Sequence, residues 1–224
     1  NIVGILVEPI QGEGGVDIPD DDYLQGLRRI CDREEWLLML DEVQTGNGRT
    51  GTYLACQQQG VQPDVVTLAK GFGNGYPIGA CLARGVAADV FSPGSHGSTF
   101  GGNPLGCAAA FAVLDALEQD ALMERARILG ERMLSRFREH LMGADYIEDI
   151  RGRGLMLAIE LTDPCSELVL LAKVQGLLLN ITRERVIRLL PPLTMTDDEA
   201  DYLADQVIRI IKLYAADDRD RPRN

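Results

Sequence analysis

The chain has 224 residues, a net charge of −12 and 46% hydrophobic residues, enough to form a substantial core. The acidic balance argues against a nucleic-acid-binding protein, which needs a basic surface. No apolar run approaches the roughly 20 residues that cross a bilayer. Only His96 and His140 are present, which excludes a histidine-rich metal site. We therefore expect no nucleic-acid or membrane partner and no metal.

The cysteines indicate the redox compartment. They are odd in number, far apart and without a C-x-x-C pattern (Cys31, Cys56, Cys81, Cys107 and Cys165). This usage suits free thiols in a reducing cytoplasm and not a disulfide framework. The sequence also lacks a G-x-S-x-G motif, which argues against a serine hydrolase of that type.

The chain opens with an apolar segment, Ile2–Val7, that predicts a strand. It starts with Asn1 and not with Met, and a buried strand needs neighbours, so we expect the sequence to be the carboxy-terminal portion of a longer protein. Residues 19–34 predict a helix with acids in its first turn. Its apolar stripe consists of Leu24, Leu27, Ile30 and Cys31.

Two continuous apolar runs, Trp36–Leu40 and Val65–Ala69, predict parallel strands buried on both faces and joined by a helix-like insert. Asp41 and Glu42 follow the first run, and Lys70 follows the second. Ligands bind beyond the carboxyl ends of parallel strands, so Asp41 and Lys70 are expected at one crevice. A lysine amine can condense with an aldehyde. Taken singly, each charge is as well explained by a solvent-exposed position.

The segment Gly46–Gly51 has the G-x-G-x-x-G spacing of a dinucleotide-binding turn. The acids Asp41 and Glu42 would repel a pyrophosphate there. The next strand ends in Lys70, where a nicotinamide site would need an acid for the ribose. The pattern therefore does not predict a dinucleotide site.

Loops and helices follow. The turn-rich segment 71–77 precedes a strand at Ile78–Ala83, and a second Gly- and Ser-rich loop, Gly94–Gly102, presents Ser98 and Thr99 to an anion or forms a hydroxyl turn. Helices are predicted at Asn103–Gln119, with Asn103 as cap, and at Asp120–His140. The arginines of the second helix alternate with acids and predict a solvated face. We place a domain boundary after Gln119, giving domains 1–119 and 120–224.

The remainder of the sequence predicts a small α/β domain. Arg188 interrupts one of its apolar strands, which is also consistent with an arginine that faces solvent on an edge strand. The tail from Ala215 is expected to fray. A capping box, Thr196–Glu199, opens the last helix. The expected strands are Tyr146–Ile150, Leu155–Leu161 and Val186–Leu190, and the expected helices are Ser166–Gln175 and Thr196–Tyr214.

Four segments together resemble the class III (ornithine-type) pyridoxal-phosphate aminotransferases. They are VEPIQGEGG (7–15), DEVQTGNGRTG (41–51), PDVVTLAKGFGNGYPIGA (63–80) and GSTFGGNPLGCAAA (97–110). The resemblance implies a fold-type I transferase, of which this chain holds part of the large mixed or parallel sheet domain and the small carboxy-terminal domain. It also implies the cofactor pyridoxal 5'-phosphate and a homodimer whose active site is shared between subunits.

The resemblance also implies a role for each matching residue. Lys70 holds the cofactor covalently and moves the proton, and Asp41 keeps the ring nitrogen protonated. The remaining cofactor contacts are expected from Glu42, Val43, Gln44 and, on the neighbouring subunit, Thr99. Ser98 is expected to contact substrate. Arg188 is expected to bind the α-carboxylate of 2-oxoglutarate, with Glu13 as its partner when that substrate is absent.

The segment 176–201, GLLLNITRERVIRLLPPLTMTDDEAD, is similar to the acetylornithine aminotransferases within the class. The expected reaction is transamination of the terminal amine of N-acetylornithine with 2-oxoglutarate as acceptor. Ornithine, succinylornithine, succinyl-diaminopimelate and 4-aminobutyrate remain open as donors, and an aminomutase would share Lys70 and Asp41. A catalytically inactive truncated domain also remains open.

Overall fold

The computed structural model of the chain describes residues 2–219, with side chains to residue 216. Two compact units are present. The first combines the residues up to Gly12 with Ile18–Glu124, and the second combines Glu13–Asp17 with the chain from Arg125 onward. The predicted domain boundary lies after Gln119, and the assignment of residues 13–17 to the carboxy-terminal unit was not predicted.

The first unit contains a four-stranded sheet in the order β1-β2-β3-β4. Its strands are β1 (Gly4–Val7), β2 (Leu37–Asp41), β3 (Val65–Leu68) and β4 (Ala80–Ala83). The pair β2–β3 is parallel, as predicted. The pair β1–β2 is also parallel and β3–β4 is antiparallel, so the sheet is mixed. Burial alternates along β2 and β3 between buried and half-buried positions, so the prediction of full burial on both faces is wrong.

Helix α1 (Tyr23–Glu34) covers this sheet. Its buried Leu24 and Cys31 pack with Leu38 and Leu40 of β2. The helix begins later than predicted, and the acids at 20–22 precede its first turn. The helix-like insert predicted between β2 and β3 consists of one 3-10 turn, Ala55–Gln59, with loops on either side.

Helix α2 (Pro104–Gln119) begins as the sequence predicts. The Asn103 side chain accepts a hydrogen bond from Gly106 N–H at 2.9 Å, and Pro104 occupies the first turn, where no hydrogen-bond donor is needed. Helix α3 (Leu122–Leu141) follows after a short turn.

The second unit has an antiparallel sheet in the order β5-β6-β8-β7. Its strands are β5 (Ile147–Arg153), β6 (Met156–Leu161), β7 (Asn180–Thr182) and β8 (Val186–Leu189), and its further helices are α4 (Leu168–Val174) and α5 (Asp197–Arg219). Residues of α3, α4 and α5 share one core with one face of the sheet. Strand β7 was not predicted. The prediction that the tail frays from Ala215 is wrong up to Arg219, because helix α5 continues to that residue. Residues 220–224 lie outside the described residues.

On α3, Arg127, Arg132 and Arg138 are exposed, as predicted, and Arg125 and Arg136 are half-buried. Some of these arginines form ion pairs with α5. Arg132 contacts Asp197 and Asp201, and Arg136 contacts Asp205. The capping box of α5 is confirmed, with Glu199 accepting from Thr196 N–H at 2.8 Å. Within residues 2–219 no helix has both the length and the apolar character needed to cross a bilayer.

Candidate active site

The side chains predicted to carry the chemistry follow neighbouring strands of the first unit. Asp41 ends β2, and Lys70 begins a short 3-10 turn, Lys70–Phe72, just beyond β3. Because β2 and β3 are parallel, both residues lie at the same edge of the sheet. Asp41 Oδ1 accepts hydrogen bonds from Val43 N–H (3.0 Å) and the Thr67 hydroxyl (3.2 Å). These donors fix the orientation of a half-buried carboxylate.

Lys70 is exposed and has an unusual backbone. Its φ is +48°, in the left-handed region that non-glycine residues rarely adopt, whereas the preceding Ala69 is extended. Such strained residues persist only where the surrounding structure holds them, and they are concentrated at functional sites. The chain therefore turns sharply at the residue that carries the predicted reactive amine.

An open hollow of about 650 Å³ lies beside Lys70 and is lined by Ala69, Lys70 and residues 75–79. This volume is within the roughly 300–1,000 Å³ range of small-molecule clefts. Tyr76 in its wall donates a hydrogen bond to Asn103 Oδ1 at 3.2 Å, which ties the loop to the start of α2. A side chain at Gly73 would lie 2.2 Å from the Tyr76 carbonyl oxygen, so this turn requires glycine.

Asn47 supports the Lys70 turn, and sequence reasoning did not identify it. Its Nδ2 donates to the carbonyl oxygen of Ala69 at 3.3 Å, directly before Lys70, and its own φ is +55°. The side chain is buried, and its Oδ1 has no hydrogen-bond partner among the described residues. The one available signal was the G-N-G sequence, since Asn tolerates the left-handed conformation better than most residues.

Glu42 lies inside the first unit. The residue has no exposed surface, and Oε1 accepts from Cys56 N–H at 2.9 Å. Its Oε2 accepts from Ala55 N–H at 2.9 Å and from the Thr45 hydroxyl. The described contacts of this carboxylate all serve the following loop, so direct cofactor binding by Glu42 stays a prediction. Burial, together with the Glu42 charge, raises the pKa of the Cys56 thiol from its ordinary 9.0 to about 12.

Val43 and Gln44 are half-buried and continue from Asp41. Val43 contributes its N–H to Asp41, as described above. The end of the Gln44 side chain lies 2.5 Å from where a Cβ at Gly12 would be, so a side chain at position 12 would displace Gln44. Their predicted contacts with the cofactor ring stay predictions.

Ser98 and Thr99 lie on an exposed loop of the first unit. The Ser98 hydroxyl accepts a hydrogen bond from Gly101 N–H at 2.9 Å, which forms the hydroxyl turn that the sequence allowed as an alternative. The anion-binding and substrate roles of these two residues stay predictions.

Glu13 and Arg188 meet in the second unit. Arg188 Nη1 donates to Glu13 Oε1 at 2.7 Å, and Arg188 Nε donates to Asn180 Oδ1 at 3.0 Å. The Arg188 side chain is only 9% exposed, whereas that of Glu13 is 68% exposed. A largely buried guanidinium is therefore covered by a carboxylate that water reaches. The predicted role of Arg188 in binding a substrate carboxylate stays a prediction.

The sequence matches the family model "Aminotransferase class-III" over residues 1–211, so the chain belongs to the class III aminotransferases. Enzymes of this class depend on pyridoxal 5'-phosphate. The fold is that of the class, an α/β fold-type I enzyme with a mixed sheet.

Individual relatives agree with this assignment. An acetylornithine aminotransferase from Nitrosomonas europaea is 55% identical over 213 residues, covering 95% of this chain and 54% of the relative. The structure of an acetylornithine aminotransferase from Elizabethkingia anophelis matches with TM-score 0.88 at 42% identity, covering 93% of this chain and 54% of that one. Ornithine aminotransferase from Toxoplasma gondii matches with TM-score 0.93 at 40% identity, covering 97% and 53%. The chain thus spans about half the length of the relatives it matches.

Proposed function

We propose that the protein acts in pyridoxal-phosphate-dependent transamination, transferring the terminal amine of N-acetylornithine to 2-oxoglutarate in arginine biosynthesis. The observation that carries the proposal is the placement of Lys70 and Asp41 at one edge of a parallel strand pair, with an open hollow beside the lysine. The identity to a named acetylornithine aminotransferase supports the choice of donor. Ornithine is the second candidate donor, because a named ornithine aminotransferase has the same fold.

The residues present fit the cofactor. Lys70 would hold it through its exposed amine, and the oriented Asp41 carboxylate would hold the proton on the ring nitrogen. Val43 would pack on the ring, Gln44 would bond near the ring oxygen, and Thr99 would bind the phosphate held by a neighbouring subunit. When bound, pyridoxal phosphate supplies an electron-withdrawing ring that stabilises the charge left when a C–H bond beside the amine breaks.

Lys70 performs the proton transfer in this proposal. Its amine takes the proton from the carbon that bears the substrate's terminal amine, and it later returns a proton as general acid. The turn at Lys70, supported by the Asn47 hydrogen bond to the Ala69 carbonyl, fixes the backbone position from which the Lys70 side chain extends.

Arg188 selects the acceptor. Its planar guanidinium suits the α-carboxylate of 2-oxoglutarate, which it would bind in a bidentate manner once Glu13 leaves. Asn180 accepts the hydrogen bond from Nε, which lies apart from the Glu13 contact at Nη1, and would orient the guanidinium in both states. With Glu13 in place the arginine is neutralised, which suits a donor that presents no second carboxylate there.

A homodimer accounts for the apolar surface of the first unit. Large apolar side chains are exposed along residues 82–111, namely Leu82, Val86, Val90, Phe91, Phe100, Leu105 and Phe111. Exposed apolar surface of this extent marks association sites. The Ser98–Thr99 loop lies in the same stretch of sequence, consistent with a site shared between subunits. The free cysteines among the described residues accord with a cytoplasmic location.

The testing experiment is borohydride reduction of the protein in the presence of pyridoxal phosphate, followed by intact mass measurement and peptide mapping. We expect one phosphopyridoxyl adduct, on Lys70, and none in Lys70→Arg. An unreduced portion of the same preparation is assayed with N-acetylornithine and with ornithine, each with 2-oxoglutarate. An adduct on another lysine would contradict the site, and a preference for ornithine would replace the donor.

A further inference from the structure

Arg151 and Arg188 occupy one row across the sheet of the second unit. Arg151 pairs with Ala158, Ala158 pairs with Arg188, and Arg188 pairs with Asn180. Residues directly opposite each other share a face, and two strand spacings separate the arginines by about 10 Å. Ala158, between them, has a small side chain and is fully buried. The segment Glu13–Asp17 packs here and contacts both arginines.

Arg151 holds that segment through two of its three guanidinium nitrogens. Nε donates to Val16 O at 3.1 Å, and Nη2 donates to Gly15 O at 2.8 Å and to Asp17 Oδ1 at 3.4 Å. Nη1 donates to Glu160 Oε2 at 2.7 Å and to Asp149 Oδ2 at 2.9 Å. The two carboxylates fix the guanidinium, and the guanidinium in turn fixes the backbone of residues 15–17.

The segment held by Arg151 is strained. Val16 has φ of +57° and is fully buried, and Gly15 has φ of +111°. A β-branched residue with positive φ is a genuine outlier and persists only where its surroundings hold it. Glu13 leads directly into this turn and reaches Arg188. The turn therefore sets where the Glu13 carboxylate lies.

We propose that Arg151 is a positioning residue that clamps the Gly15–Asp17 turn and thereby keeps Glu13 against Arg188, so that Arg151 sets how readily Arg188 accepts a dicarboxylate. The inference rests on the proposed roles of Glu13 and Arg188. Loosening the clamp lowers the local concentration of the Glu13 carboxylate at Arg188. The fraction of protein with Arg188 open then rises, and the apparent affinity for a competing carboxylate rises with it.

The test is a double-mutant cycle with glutarate as the probe, measured by titration calorimetry on the protein and its variants. Arg151→Lys keeps the positive charge but cannot reproduce the five-donor fork. If Glu13 occupies Arg188 about nine-tenths of the time, Glu13→Gln strengthens glutarate binding about tenfold. We expect Arg151→Lys to strengthen it about threefold in the wild-type background and to have no effect in the Glu13→Gln background. Arg136→Lys, which replaces an arginine bonded through a similar fork to Asp205, is the control.

An equal effect of Arg151→Lys in both backgrounds would overturn the proposal, because Arg151 would then act on Arg188 without Glu13. So would unchanged affinity in the wild-type background. A second readout is the amide hydrogen exchange of residues 14–17, which Arg151→Lys should accelerate and Arg136→Lys should not. If Glu13→Gln leaves glutarate binding unchanged, the proposed competition between Glu13 and a dicarboxylate for Arg188 is wrong. Exchange in the turn then still decides whether Arg151 is the clamp.

Discussion

Replacing Glu42 with Gln tests whether this buried acid serves the fold. The carboxylate accepts from two backbone N–H groups, of Ala55 and Cys56, and from the Thr45 hydroxyl. An amide keeps one oxygen and presents an NH2 group where the other oxygen stood. In the better orientation the amide oxygen keeps the hydrogen bonds from Ala55 N–H and the Thr45 hydroxyl. The NH2 group then faces the Cys56 N–H, and two donors meet without an acceptor.

The cost follows from that geometry. A buried donor left without its charged acceptor costs about 2–3 kcal/mol, so we expect Glu42→Gln to lower the free energy of unfolding of the first unit by at least about this amount. With a urea m-value near 2 kcal/mol/M, the midpoint should fall by about 1–1.5 M. Trp36, the single tryptophan, packs in the same cluster as Cys56. Its fluorescence therefore reports the unfolding of this unit.

Glu8→Gln is the matched control. Within the described part of the chain Glu8 accepts one hydrogen bond, from Gly12 N–H at 3.0 Å. An amide oxygen can replace that acceptor, so the urea midpoint of Glu8→Gln should stay near that of the wild type. A Glu42→Gln midpoint equal to that of the control would refute the argument that the carboxylate anchors the loop. If Glu42→Gln instead left stability intact and reduced only the Lys70 adduct with pyridoxal phosphate, the predicted cofactor role of Glu42 would be supported.

Three further predictions concern packing, backbone and pH. Asn47→Gly keeps the left-handed conformation but removes the side-chain hydrogen bond; we expect about 1 kcal/mol less stability by Trp fluorescence, and an unchanged midpoint would contradict the supporting role. Gly130→Ala would place a Cβ 1.9 Å from the Gly154 carbonyl oxygen, so we expect the free energy of unfolding, followed by heating, to fall by about 3 kcal/mol or more. The control Gly26→Ala on α1 makes no close contact, and its free energy of unfolding should rise by about 1 kcal/mol. The raised pKa of Cys56 means that the folded state keeps a proton that the unfolded state releases above pH 9, so stability is full below pH 9 and is lost as pH rises toward 12. The loss at pH 10 should be about 1.4 kcal/mol, and Cys56→Ala should flatten that part of the pH profile.

Sequence patterns predicted that Asp41 and Lys70 lie together at the carboxyl ends of neighbouring strands, because the signal for these strands is local. Continuous apolar runs that end in Asp41 and Lys70 indicate parallel strands, and parallel strands place their carboxyl ends together. The inward direction of Glu42 was not evident, since two adjacent acids at a strand end can each face the core. Alternation along the strand suggests that one of them does, but its partners come from a loop without apolar periodicity.

The contacts of Arg151 were missed for a different reason. The sequence predicted a strand that ends at Ile150, so Arg151 was expected beyond it, whereas β5 continues to Arg153. Its acceptors Gly15 and Val16 lie more than 130 residues away in sequence, at separations of 136 and 135. Backbone carbonyl acceptors leave no residue-type signature in a sequence. The Glu13–Arg188 pairing was predicted from the class III resemblance, because periodicity has no information about pairs so distant.

The assignment of residues 13–17 to the second unit has a consequence for biosynthesis. The Glu13–Arg188 pair spans 175 residues, and the intervening chain includes most of the first unit. During translation these five residues leave the ribosome long before the strands they pack against, and closing so large a loop slows their docking. The strained turn at Val16 should therefore be among the last features to form. Newly made chains should pass through a state in which the first unit is folded and Arg188 is still uncovered.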